Sequence, residues 1–420
     1  LLRALLPTFY SSLRLWLLGK LPDDSAVNIA SQVAWLGLAF EVLQEFLIMP
    51  LYFLLGSSIT DISVTRNNVK TGLGVLCLFF SCTSGLLYLL APSLVQAMAQ
   101  DSNLREATTR YIRLEIFGLF LESINSFLTI PLQLLDMSGA LLYCLLLKFS
   151  LTIFLDLTFL SSLPFSLQLG VQGIAYSSLL TSLATSLLLL LLLCRRLHIS
   201  LPNLAQPCSF LWLRHWITLG LYSGLDSLVR NLTYTLVILR SMNLLEESGL
   251  YWTTTTFIWS WLLLPFLPLS EVLRVRVATV PPSQGHLSTL APYLLITLAI
   301  SIAWLLSIPA WFSIYDLVFS VQTPSDNVRL TLILLPFYIT FMFGHLLTSV
   351  LYALGKTKLI ALKSFVGNIA IGSFFALTLT DVLPVNLTSV SLIFGFGLSL
   401  GSGTALGIYG LVLRKQGWRL

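Results

Sequence analysis

Charge is the scarcest commodity in this 420-residue chain: Asp, Glu, Lys and Arg together make up 10% of it, against 56% hydrophobic residues. An ordinary soluble domain carries about 25% charged residues. No soluble core could bury this much apolar surface, so lipid has to solvate most of it. Cysteine is also sparse. Cys77, Cys82, Cys144, Cys194 and Cys208 follow no CxxC or Cys/His spacing, which implies neither a disulfide framework nor a metal site. A G-x-x-x-x-G-K-[ST] loop is lacking, so no ATP-binding motor is encoded. No Ser/His/Asp set has plausible spacing. The chain therefore reads as a non-enzyme without a cofactor. The net charge of +5 sits mostly in loops and is an orientation signal rather than a sign of nucleic-acid binding.

What is present is a series of apolar blocks near the ~20 residues a helix needs to span a bilayer. Backbone groups in lipid must be satisfied internally, and period-2 alternation is absent, so the blocks are helices rather than barrel strands. The expected fold is an all-α integral membrane protein of twelve transmembrane helices in two pseudo-symmetric six-helix lobes. Residues 1–194 form the N-terminal lobe, 195–210 a cytoplasmic connector and 211–420 the C-terminal lobe. Helix 2 is expected from Asn28 to Leu55, helix 7 from Trp212 to Leu239 and helix 8 from Tyr251 to Leu273, each unbroken. Asp23-Asp24-Ser25 after helix 1 matches Glu246-Glu247-Ser248 after helix 7, as an internal repeat would. Such repeats are frequent in secondary transporters, with the substrate site between the halves. The chain begins at Leu1 rather than Met, so a few preceding residues are expected. Arg66, Lys70, Arg195, Arg196, Arg274, Arg276, Lys356 and Lys358 fall in alternate loops, and Asp23, Asp24, Glu246, Glu247, Asp316, Asp326 and Asp381 in the others. The positive-inside bias places both termini and the connector in the cytoplasm, in a multi-pass cell (inner or plasma) membrane protein.

Three stretches carry a family resemblance. Leu155-Asp156-Leu157, followed by Leu169-Gly170-Val171-Gln172-Gly173-Ile174-Ala175, resembles the helix 5 to helix 6 passage of the multidrug and toxic compound extrusion (MATE) transporters. Val350-Leu351-Tyr352-Ala353-Leu354-Gly355-Lys356-Thr357-Lys358 resembles that family's helix 10 to 11 turn, and Leu219-Gly220-Leu221-Tyr222-Ser223-Gly224-Leu225-Asp226 the start of its helix 7. The resemblance implies a secondary-active exporter of small organic compounds that exchanges substrate for protons. The departures are informative: Arg14 stands where the family has an acid in helix 1, and Thr152 replaces the Asn four residues before Asp156.

A charge in the bilayer interior costs several kcal/mol, from about 2.5 upwards, so each one needs a reason. Asp156, deep in helix 5, is the first candidate for proton coupling, with Glu41, Glu45 and Asp226 as further candidates. Glu41, Gln44 and Glu45 share one helical face, where two neighbouring carboxylates require a proton or a cation such as Arg14 between them. Asp226 and Arg230 have the i, i+4 spacing of an ion pair. Arg14, Gln44, Glu122, Arg230 and His345 are candidates to line a substrate cavity. Lys148 is a possible partner for Asp156, and the Thr253–Thr256 run either lines a cavity or bonds back to its own helix. The expected partners are a small-molecule substrate and the lipid bilayer. Two other readings stay open: a flippase or exporter of an anionic or lipid-linked substrate, motivated by Arg14 and Arg230, and a transporter-like subunit that packs in a larger membrane complex without transporting.

Overall fold

A computed structural model describes residues 2–21, 25–58, 61–161, 163–197, 209–279, 286–353, 357–380 and 384–415. Among these every regular element is helical. The helices are α1 (Leu2–Gly19), α2 (Ala26–Ser31), α3 (Val33–Leu47), α4 (Leu51–Ser58), α5 (Ile62–Ala97), α6 (Arg105–Leu134), α7 (Ser138–Phe159) and α8 (Val171–Arg196). Then come α9 (Leu213–Thr233), α10 (Arg240–Leu244), α11 (Ser248–Phe257), α12 (Phe266–Thr279), α13 (His286–Ser313), α14 (Pro324–Ala353), α15 (Thr357–Leu379) and α16 (Leu387–Lys415). Nine helical spans among the described residues are long and apolar enough to cross a membrane, and one bent pair, Ser248–Leu262 with Phe266–Arg274, adds a broken span. This is a multi-pass α-helical membrane protein. Its surface agrees: Leu89 on α5 is 74% exposed and Leu306 on α13 is 76% exposed, which suits lipid and not water.

Several spans expected to be continuous are interrupted. Helix 2 is divided into α2, α3 and α4, the last break falling at Met49 and Pro50, where proline removes a backbone donor. The expected helix 7 changes to a π-helical turn over Tyr234–Leu239. Helix 8 does so over Ile258–Leu262 and then bends by 54° into α12, the break holding Pro265. A third π turn, Ile314–Val318, extends α13. Hydrophobicity reports which segments are buried in lipid, but a π turn costs no apolar residue and leaves no mark on it.

The chain divides into two compact units that do not follow the expected lobe boundaries. One contains residues 17–231; the other joins Leu1–Trp16 to Leu232–Leu420. Local packing explains both exchanges. In the second unit, Thr8 donates to the Ser260 carbonyl at 2.8 Å, the Trp261 indole donates to Ser12 Oγ at 2.8 Å, and Leu15 is part of the buried core. That core is aromatic, with Phe257 packed against Trp311, Tyr315 and Phe319. In the first unit, α9 lies on the end of α3: the Trp216 indole donates to the Leu47 carbonyl at 2.7 Å. A Cβ on Gly220 would collide with the Phe46 carbonyl oxygen, and one on Gly224 would lie 2.8 Å from Phe46 Cβ. This is the small-xxx-small packing that brings membrane helices together. Gly170, with φ 60° and ψ −146°, opens α8 in a conformation open essentially to glycine alone. A Cβ on Gly173 would lie 2.9 Å from Leu160 Cδ1, so α8 starts hard against the end of α7.

At one end of the second unit, Asn327 of α14 donates to the Leu250 carbonyl and to the hydroxyls of Thr253 and Thr254. Thr253 and Thr255 also bond back to carbonyls of their own helix. Nearby, desolvation, then the Asp326 carboxylate, raise the pKa of Glu247 above the usual carboxylate value. A raised carboxylate pKa favours the fold fully below the unfolded value, near 4.5, and loses that contribution as pH rises through the folded value. Glu247→Gln should therefore match the native protein's thermal stability near pH 4 and exceed it at pH 7. Melting curves across that range check this, and a gap that closes as pH rises would contradict it.

Candidate functional site

The charged and polar side chains of the first unit converge along α3, α6, α7, α8 and α9. On α6, Glu122 receives a 2.6 Å hydrogen bond from Lys148 of α7, a close ion pair. The same carboxylate is approached by Ser182 of α8 at 3.4 Å and by Asn125 one turn along α6 at 3.5 Å. Asn125 continues the network, donating to the Ser182 carbonyl and accepting from Ser186 at 2.7 Å. Gln44 of α3 donates to Ser123 Oγ at 3.0 Å, tying the acidic stripe of α3 to α6.

The remaining two members of that stripe are held differently. Arg230 of α9 donates to Glu41 Oε1 at 3.1 Å and to Glu45 Oε1 at 2.9 Å. A single guanidinium thus supplies the cation that two neighbouring carboxylates require, and its planar fork suits two acceptors. The expected pairing of Arg230 with Asp226 cannot be placed, because the Asp226 side chain lies outside the described residues. Arg14, expected as the partner of Glu41 or Glu45, stacks over the Tyr10 ring with its guanidinium carbon 4.7 Å from the centroid. With two carboxylates at Arg230, the local formal charge there is negative, which removes one of the two arginines that motivated an anion-binding reading.

Asp156 is 1% exposed, on the face of α7 that also carries Thr152 and Lys148 at one-turn spacing. Thr152, where the family has Asn, donates to the Lys148 backbone carbonyl. Lys148, the partner considered for Asp156, is paired with Glu122. Sequence reasoning passed over Glu115, which is 3% exposed on α6 and accepts from the Tyr111 hydroxyl at 3.1 Å. Its place two turns before Glu122 on the same helix was the available signal. Glu115, Glu122 and Asp156 are thus buried or half-buried carboxylates on α6 and α7, and Lys148 is paired with Glu122. His345, the remaining candidate, is half-buried on α14 in the second unit, between the rings of Phe266 and Phe341. Among the described residues no group of three His, Cys, Asp or Glu side chains could hold a metal ion.

No family model matches this sequence, and no curated protein matches it. Solved structures do. An inward-facing multidrug resistance MATE family transporter of the MOP superfamily aligns with a TM-score of 0.77 at 18% identity, over 99% of this chain and 94% of that one. The fold is that of the MATE transporters. The lipid II flippase MurJ, in an inward closed conformation, shares it with a TM-score of 0.70 at 12% identity, over 96% of this chain and 85% of that one. So does a MOP superfamily transporter from Pyrococcus furiosus, described as having a binding pocket of reverse polarity: TM-score 0.63, 16% identity, 99% and 96% covered. The carboxylates of α3 with Arg230 and the Glu122–Lys148 pair are features of this chain read from its own side chains.

Proposed function

We propose that this protein is a secondary-active exporter with a MATE fold, exchanging protons for small organic compounds by alternating access. The observation that carries the reading is the acidic network of the first unit, in which Asp156 is almost wholly buried and Glu122 is paired with Lys148. Ionising a carboxylate inside a membrane span is costly, and a transporter can use a change of protonation there to bias one state over another. Asp156 is the coupling residue, with Glu122, Glu41 and Glu45 tuning it. Asp226 is kept as a candidate from its position on α9. The first- and second-half repeat, the cytoplasmic termini and the inner or plasma membrane location belong to the same proposal.

Two lines support transport rather than another class. The fold is shared with a multidrug resistance MATE transporter and with a lipid II flippase, and Glu41, Glu45, Glu122, Lys148 and Asp156 lie inside candidate membrane spans. No observation favours the reading as a non-transporting subunit.

The test uses purified protein in vesicles with an imposed pH gradient and a panel of cationic, neutral and anionic fluorescent solutes. At least one solute should accumulate against its own gradient, and a protonophore should abolish the accumulation. Solute movement that persists unchanged with the protonophore present, or no movement of any solute, would overturn the proposal.

A further inference from the structure

Lys148 lies at the middle of α7, with about 15 Å of helix on either side, so its stem cannot carry the ammonium to the membrane surface. Glu122 and Ser182 likewise sit near the middles of α6 and α8. Among the described residues Glu122 is the ion-pair partner of Lys148, at 2.6 Å. The pair is not sealed, since the two side chains are 25% and 37% exposed. Charge at this depth is tolerated where it meets water and not lipid tails, so the exposed part faces water and an ion can reach it.

Helix register sets what surrounds the pair. A Cβ on Gly118 would lie 3.4 Å from Ser178 Cβ, Glu122 Oε2 stands 3.4 Å from Ser182 Oγ, and Asn125 Oδ1 stands 2.7 Å from Ser186 Oγ. The partners advance together along both helices, so α6 and α8 run parallel here. The missing side chain of Gly118 lets them approach one turn before Glu122. Ser178, Ser182 and Ser186 recur every four residues and share one face of α8. Among the described residues only one oxygen of Glu122 is held tightly. Oε1 takes the ammonium at 2.6 Å, whereas Oε2 has Ser182 at 3.4 Å and the Asn125 amide at 3.5 Å, both longer than a well-made hydrogen bond. The Ser182 spacing suits a cation better. Sodium is close to calcium in size, and oxygen contacts of about 2.4 Å at a right angle place two ligand atoms about 3.4 Å apart.

We propose that the Lys148 ammonium fills a monovalent-cation site formed by Glu122 and Ser182, and so keeps sodium out of it. An ammonium and a sodium ion carry the same charge, and carboxylate and hydroxyl oxygens satisfy both. The lysine differs in being tethered. Its high effective concentration beside Glu122 keeps the site occupied whatever the sodium concentration in solution. The exporter reading is needed only for the consequence: a protein whose cation is built in at Glu122 draws on the proton gradient and not on a sodium gradient there.

The experiment measures sodium binding to the full protein in detergent with no gradient present, so its failure leaves the exporter reading standing. Equilibrium dialysis with radioactive sodium, balanced with choline chloride to constant ionic strength, should find one more sodium bound per chain in Lys148→Ala than in the native protein. Exchanging choline for sodium should also raise the melting temperature of Lys148→Ala by more than it raises that of the native protein. Lys148→Arg, which keeps the tethered charge, should bind no added sodium. In the Lys148→Ala background, Glu122→Gln should abolish the added sodium and Ser182→Ala should weaken it several-fold. An unchanged sodium count in Lys148→Ala, an added sodium that survives without Glu122, or an affinity indifferent to Ser182 overturns the site. So does a Lys148→Ala protein that folds in neither salt, because a site that accepts sodium would have been filled by it.

Discussion

Asp156→Asn should abolish gradient-driven accumulation while leaving the protein folded and monodisperse. A gradient of one pH unit stores about 1.4 kcal/mol per proton, which holds a solute at ~tenfold accumulation under one-for-one exchange. Carrying that energy requires a group that is protonated on one side and ionised on the other. Asp156 has the burial expected of such a group, at 1% exposure on α7, and asparagine has nearly its shape but no proton to exchange. The variant's accumulation ratio should fall to about one, and exchange of labelled for unlabelled solute without a gradient should persist. A different result would follow if Asp156 only neutralised a neighbour. Removing one member of a buried ion pair costs about 3–5 kcal/mol, so the variant would then melt early and any folded fraction would still accumulate solute. Thermal melting beside the accumulation assay separates the two outcomes.

Arg230→Ala is expected to have the largest effect on stability. The guanidinium holds Glu41 and Glu45 together, and without it two carboxylates one turn apart on α3 face each other. A fully buried pair would lose about 3–5 kcal/mol and an exposed one 0–1. Arg230 and Glu41 are 41% and 43% exposed and Glu45 is 24% exposed, so the loss falls between, at about 2 kcal/mol. That corresponds to a melting temperature lower by on the order of 5 °C. The second variant makes the argument specific. Glu45→Gln in the Arg230→Ala background relieves the repulsion and should recover at least half of the loss. No recovery would show that Arg230 acts through the packing of its stem rather than its charge. Arg230→Lys should be intermediate, since an ammonium is a point charge and the fork is what reaches both carboxylates.

The sequence was enough for the membrane class and the helical character, because hydrophobic blocks near bilayer length leave the backbone no other way to satisfy its hydrogen bonds. It also singled out Glu41, Gln44, Glu45, Glu122, Asp156 and Arg230; the structure shows hydrogen bonds for Glu41, Gln44, Glu45, Glu122 and Arg230 and buries Asp156. Their pairing was not legible. Helical spacing relates residues within one helix, so it offered Lys148 as a partner for Asp156 and could name no partner on another helix. The contacts that exist join different helices far apart in the chain, Lys148 to Glu122 and Arg230 to Glu41. Glu115 was missed for a related reason: beside Arg113 near the start of its helix it looks like an interfacial acid, and only packing shows that it is buried.

One further feature was decided by tertiary structure alone. The expected lobes divide the sequence at its centre, yet the first 16 residues belong to the unit of the second half and the start of α9 to the unit of the first. Hydrogen bonds such as Trp261 to Ser12 and Trp216 to Leu47 decide this, and sidedness in a helix pattern carries no name for its neighbour. Composition fixes what solvent a chain needs and which groups are costly to bury; only the packed structure chooses which costly groups share the burden.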